Sequence, residues 1–128
     1  MEVLITNGIK VSVETLYQAA YSRPQEHRYI FSYQIRIENL SANTVQLLRR
    51  HWQIFDANGM IREVEGEGVI GKQPVLAPGE THEYASWSPL TTELGKMQGT
   101  YLFVRTTDNE EFKVQIPAFK LIVPFKLN

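Results

Sequence analysis

Gly66, Gly68 and Gly71, in the segment VEGEGVIGKQP (64–74), are spaced as G-x-G-x-x-G and followed at once by Lys72. Between a strand and a helix, this spacing lets the backbone approach a dinucleotide pyrophosphate that the helix N-terminus then holds. Downstream of Gly71, however, come Pro74 and Pro78. Proline removes a backbone donor and pushes the residue before it out of helical geometry, so no helix is expected to open there. A Walker-type loop is not expected either, because Gly71-Lys72 is followed by Gln73 rather than serine or threonine. The three glycines are expected to serve bulges, positive φ or close backbone approach in β-structure. The alternative is an anion site for pyrophosphate or nucleotide. It would be a nest of N–H groups over Gly66, Gly68 and Gly71, with Lys72 as its cation.

The neighbouring stretch HWQIFDANGMIREVEGEG (51–68) reads as a hairpin. A three-residue loop Ala57-Asn58-Gly59 with Gly59 left-handed pairs Asp56 with Met60. Trp52 then faces Val64, His51 faces Glu65, Gln53 faces Glu63 and Arg49 faces Glu67. A two-residue Asn58-Gly59 turn would instead set Trp52 on Glu65, so the first register is preferred. It lines Glu63, Glu65 and Glu67 along one strand face, the residue type that holds Mg²⁺. Alternate residues lie ~6.5–7 Å apart along a strand, too far for easy convergence on one ion, so a solvated face opposite Arg49 and His51 is expected. His27, His51 and His82 sit on separate segments without metal-ligand spacing, and Ser86 lacks a nucleophile elbow. The chain has no cysteine, hence no disulfide and no thiolate. No catalytic residue, metal ligand or cofactor is expected, and the chain reads as a non-enzyme.

These residues must be positioned by strands. Apolar residues alternate over Ile9, Val11 and Val13 and again over Tyr29, Phe31, Tyr33, Ile35 and Ile37. A period of two, rich in β-branched and aromatic residues, marks strands with one buried face. Further runs are VQLLRRHWQIF, IREVEGE, THEYASW, GTYLFVRTT and EFKVQIPAFKLIVP, separated by turn signals such as DANG, APGE and TDNE. The fold class is all-β: an antiparallel β-sandwich of about seven or more strands, immunoglobulin or fibronectin type III in style, with a small barrel as the alternative. QAAYSRPQEH is the longest interior loop; Tyr21 within it and Tyr17 just before it are expected to pack. Tyr84, Trp87, Tyr101, Phe103, Phe119 and Phe125 are expected mostly in the core, with a partly exposed contact role near a strand end as the alternative for Trp87. With 128 residues, one domain over 1–128 is expected. Thirteen Lys and Arg against 14 Asp and Glu leave a formal charge of -1, which argues against nucleic acid as a partner. No apolar run is long enough to span a bilayer and no leader pattern opens the chain, so a cytoplasmic protein is expected.

The ordered set of motifs resembles the ApaG family over nearly the whole length. It comprises Phe31-x-Tyr33-x-Ile35-x-Ile37-x-Asn39, VQLLRRHW (45–52), VEGEGVIGKQP (64–74), LAPGE (76–80) and Tyr84-x-Ser86. It continues with Gly95-x-Met97-x-Gly99-x-Tyr101 and Ile116-Pro117-x-Phe119-x-Leu121. Trp87 departs from the pattern, since the family usually carries a small residue there. The resemblance implies a fibronectin type III-like sandwich in a bacterial cytoplasmic protein, and an association with cobalt and magnesium efflux. In eukaryotes, similar domains look like protein-recognition modules. With no membrane segment, the chain is not expected to be a transporter by itself. The expected function is a protein–protein interaction module, with Arg50, Trp52, Val69 and Trp87 near the contact surface. The alternative is an accessory protein that weakly binds pyrophosphate, nucleotide or a divalent cation. An edge strand would also permit a homodimer.

Overall fold

The computed structural model describes residues 1–124, so the reading of Phe125 lies outside the described residues. The described residues form nine strands: β1 (Glu2–Thr6), β2 (Ile9–Tyr17), β3 (Tyr29–Asn39), β4 (Val45–Asp56), β5 (Ile61–Glu67), β6 (Val75–Leu76), β7 (Thr81–Leu90), β8 (Leu94–Arg105) and β9 (Glu110–Ile122). They make an antiparallel sandwich. One sheet has the order β1-β2-β3-β7 and the other β5-β4-β8-β9, with β6 also paired to β4.

β1 is an element the sequence reading passed over. It joins β2 through Asn7-Gly8, whose φ values of 50° and 79° are the paired left-handed residues of a two-residue hairpin turn. The long loop after β2 holds two short 3₁₀ turns, Ala19–Tyr21 and Pro24–Glu26.

Alternation places Ile9, Val11, Val13, Phe31, Tyr33, Ile35 and Ile37 inward from the first sheet. They meet Leu47, Trp52, Ile54, Met97, Tyr101, Phe103 and Phe119 from the second. Burying each such side chain contributes about 1.5–3 kcal/mol.

Two bulges interrupt the second sheet. In β4 the pairing with β8 jumps between Leu47 and Arg49. Before it Val45 and Leu47 are buried; after it the buried positions become Trp52, Ile54 and Asp56. One extra residue has switched the inward parity from odd to even, which turns Arg50 toward the space between the sheets. In β9 the pairing moves from Met97↔Phe119 to Gly99↔Ile116, so Pro117 falls where a missing donor costs no ladder bond.

The two sides of the sandwich differ. On one side β1 and β9 are tied together: Asn7 Nδ2 donates to Lys113 O (2.9 Å) and Gln115 N–H to Thr6 Oγ1 (3.3 Å). On the other side β7 and β5 are outermost in their sheets.

Candidate functional site

The three glycines lie on that second side, each with its own cause. Gly66 pairs with Arg50, and a Cβ there would sit 2.9 Å from the Arg50 guanidinium, which lies across it. Gly68 has φ +63°, and its Cβ would come within 2.2 Å of Lys72 O. Gly71 (φ 72°) follows Ile70 (φ 48°) at the tip of a two-residue turn. Val69 and Lys72 close that turn, with Val69 N–H donating to Lys72 O (2.8 Å) and Lys72 N–H to Val69 O (3.0 Å). Gly68 N–H donates to Leu48 O (2.8 Å). The amides of Gly68, Val69 and Lys72 therefore serve the fold. The next element is β6 rather than a helix, so no helix dipole faces the loop.

The Arg50 Nη1 donates to the carbonyls of Glu67 and Gly68, both at 3.0 Å, fastening the loop to the sheet. Behind it lies a phenol cluster. Tyr84 of β7 and Tyr101 of β8 hydrogen-bond hydroxyl to hydroxyl across the sandwich. Burial pushes both phenols well above their ordinary range. Tyr33 is also raised by burial, while its bond to Ser86 and the Arg50 charge act the other way. His82, at the start of β7, is lowered first by burial and then by the Lys72 charge.

The hairpin register is the one read from the sequence: Arg49↔Glu67, His51↔Glu65, Trp52↔Val64 and Gln53↔Glu63. Gly59 has φ 90° and Asp56 N–H bonds Met60 O at 3.0 Å. Glu63 and Glu65 lie 3.9 and 3.6 Å from His51 Nε2, while Glu67 faces Arg49.

Of the four residues expected near a contact surface, two are corrected. Trp52 is 3% exposed, wedged among the rings of Tyr33 (5.4 Å) and Phe119 (5.9 Å). Val69 is 1% exposed and plugs the core. The β4 bulge and the folded-back loop turn both inward. Arg50 is half-buried and inward-facing. Trp87 is half exposed on the outer face of β7, with its ring 5.1 Å from Tyr21 in edge geometry. Tyr21 is itself exposed, which corrects its reading as a packed residue, whereas Tyr17 packs on Phe31. Leu16 lies in the same cross-strand row as Ser32 and Trp87, extending the exposed apolar patch.

The family model described as ApaG domain (DUF525) matches residues 19–105. Protein ApaG of Brucella abortus (strain S19) is 50% identical over 120 residues, covering 94% of this chain and 92% of that one. This chain belongs to the ApaG family. Protein ApaG of Rhodospirillum centenum is likewise 50% identical over 120 residues, at the same coverage. A crystal structure assigned to an ApaA protein of Bordetella pertussis superposes with a TM-score of 0.88 at 43% identity, covering 91% of this chain and 94% of that one. A second X-ray structure superposes at 0.86 with 42% identity, covering 92% and 89%. The ApaG residues Gly95 and Gly99 have packing reasons here. A Cβ on Gly99 would meet His51 O at 2.2 Å, and one on Gly95 would meet Phe55 O at 2.7 Å. Among the described residues no helix is long and apolar enough to cross a membrane.

Proposed function

We propose that this chain is a non-catalytic module that recognises another protein in the cytoplasm, in a process connected with the cobalt and magnesium association of ApaG proteins. The half-exposed Trp87 of the outermost strand β7, set edge-on against the exposed Tyr21, carries this reading. Large amphipathic rings left in water are the residues that most often anchor protein contacts. Affinity capture from cells grown with and without magnesium or cobalt stress tests it. The wild-type chain is expected to retain a partner that the Trp87→Ala and Tyr21→Ala variants lose. Recovery of no partner, or of the same proteins by all three, would count against a recognition role.

A second reading rests on the basic pair Arg50 and Lys72 at the glycine loop. In it the chain is an accessory protein that binds pyrophosphate, nucleotide or a divalent cation. Calorimetry with Co²⁺, Mg²⁺, pyrophosphate and diadenosine tetraphosphate separates the two. Heat from any of these favours the accessory role; silence across all four favours the recognition module.

A further inference from the structure

We propose that an extended, acidic segment of a partner protein adds as a strand to the free edge of β7 and lies over the uncovered inner face of β5. Its alternate side chains would meet Arg62, Val64 and Arg50. This rests on the reading of the chain as a recognition module and specifies the chemistry of its partner.

The edge itself sets the first requirement. Asn39 N–H donates to Glu80 O at 3.0 Å, and the β3–β7 register then runs without a break from Glu38↔Thr81 to Tyr29↔Leu90. In an antiparallel ladder only every second residue bonds a given neighbour. The even-numbered residues of β7 therefore bond β3, and Thr81, Glu83, Ala85 and Trp87 turn their N–H and C=O groups outward. Pro89 obeys the same phase, since its donorless nitrogen faces away from β3, and its carbonyl accepts from Arg62. Edge strands are normally blunted by bulges, prolines, charges or cover. β9 has its bulge and its contacts with β1, and β5 has Glu63, Glu65 and Glu67. β7 has an unbroken register, its only proline at Pro89, and one charged side chain, Glu83. It is the least defended of the outermost strands.

The floor beside it sets the second requirement. Arg62, Val64 and Gly66 are the cross-strand partners of Ile54, Trp52 and Arg50, so they share the inner face of the sheet. Yet Val64 is 39% exposed, so the first sheet leaves this part of β5 uncovered. With Arg50 folded across Gly66, the row reads arginine, valine, arginine, at the ~6.5–7 Å repeat of alternate strand residues. A strand paired to β7 points its own alternate side chains at this row with the same repeat. Because Glu63, Glu65 and Glu67 point to the opposite face, no carboxylate of β5 neutralises the row. The complementary segment reads acidic–x–apolar–x–acidic, its carboxylates meeting guanidinium groups and its backbone completing the β7 ladder.

The test titrates ¹⁵N-labelled protein with an acetylated, amidated Glu-Thr-Leu-Thr-Glu peptide and its Lys-Thr-Leu-Thr-Lys counterpart. The acidic peptide is expected to shift the amides of Glu83, Ala85 and Trp87 and to bind at least ten-fold tighter than the basic one. Arg62→Glu, which leaves one glutamate and one arginine in the row, should erase that preference, and Ala85→Pro, which removes an outward donor without touching a β3 bond, should abolish binding of both. Equal affinity of the wild type for the two peptides, a ten-fold acidic preference that survives in Arg62→Glu, or no shift at millimolar peptide each overturns the proposal. Should Ala85→Pro unfold, the loss of preference in Arg62→Glu still decides. If Trp87-dependent capture persists while the acidic peptide fails, the recognition module stands and only its acidic-strand ligand falls.

Discussion

At Gly68 an added Cβ would lie 2.2 Å from the Lys72 carbonyl, whereas at Gly71 it would meet open space, although φ is positive at both. The two substitutions to alanine thus separate conformational cost from steric cost. Gly71→Ala should destabilise by about 1–2 kcal/mol, the cost of a left-handed alanine. Gly68→Ala should lose clearly more, since the turn must also open, and urea denaturation of both variants reads the difference. Equal losses would mean that the Lys72 carbonyl moves freely and that Gly68 is there for its φ alone. Gly66 is different again: its absent side chain gives room to Arg50, whose guanidinium carries both the loop carbonyls and the charge facing the open side.

β4 shows how one extra residue redistributes function along a strand. Without the bulge after Leu47, the inward set would remain Val45, Leu47 and the odd positions beyond; with it, Trp52 becomes core and Arg50 faces the gap. The two tryptophans should therefore behave oppositely. Trp52→Ala removes a ring packed on Tyr33 and Phe119 and should cost about 3–5 kcal/mol of stability. Trp87→Ala, at a half-exposed site, should change stability by roughly 0.5 kcal/mol or less while losing the partner. Thermal denaturation of the two variants, run beside the capture experiment, checks the pair. A strongly destabilised Trp87→Ala would place that residue in the packing instead of at a contact surface.

Across the molecule, Tyr33 and Tyr84 from one sheet and Tyr101 from the other meet as neutral phenols at the β7 side of the core. In the unfolded chain phenols ionise near pH 10, while burial keeps Tyr84 and Tyr101 protonated far above that. The native state then binds more protons than the unfolded one at alkaline pH. Its stability is intact below about pH 10 and declines as pH rises beyond it, by about 1.4 kcal/mol per pH unit for each phenol held protonated. Urea midpoints between pH 9 and 12 should fall steeply in the wild type and less steeply in Tyr101→Phe. Parallel declines in both proteins would show that this phenol does not link the sheets to alkaline unfolding.

The amino-acid sequence by itself determined the all-β class, the hairpin register and the absence of a helix after Gly71. Each of these follows from local chemistry: a period-two apolar pattern, a left-handed Gly59, and prolines at 74 and 78. The Asn7-Gly8 pair held the signal for β1 as well, in the residue types of a two-residue hairpin turn. Tertiary structure alone decided that Trp52 and Val69 are interior, that Arg50 lies across Gly66, and that β7 is outermost in its sheet. Bulge parity and strand order arise from packing between segments far apart in the chain. A side chain's direction past a bulge depends on which distant strand it must meet, and no local spacing records that.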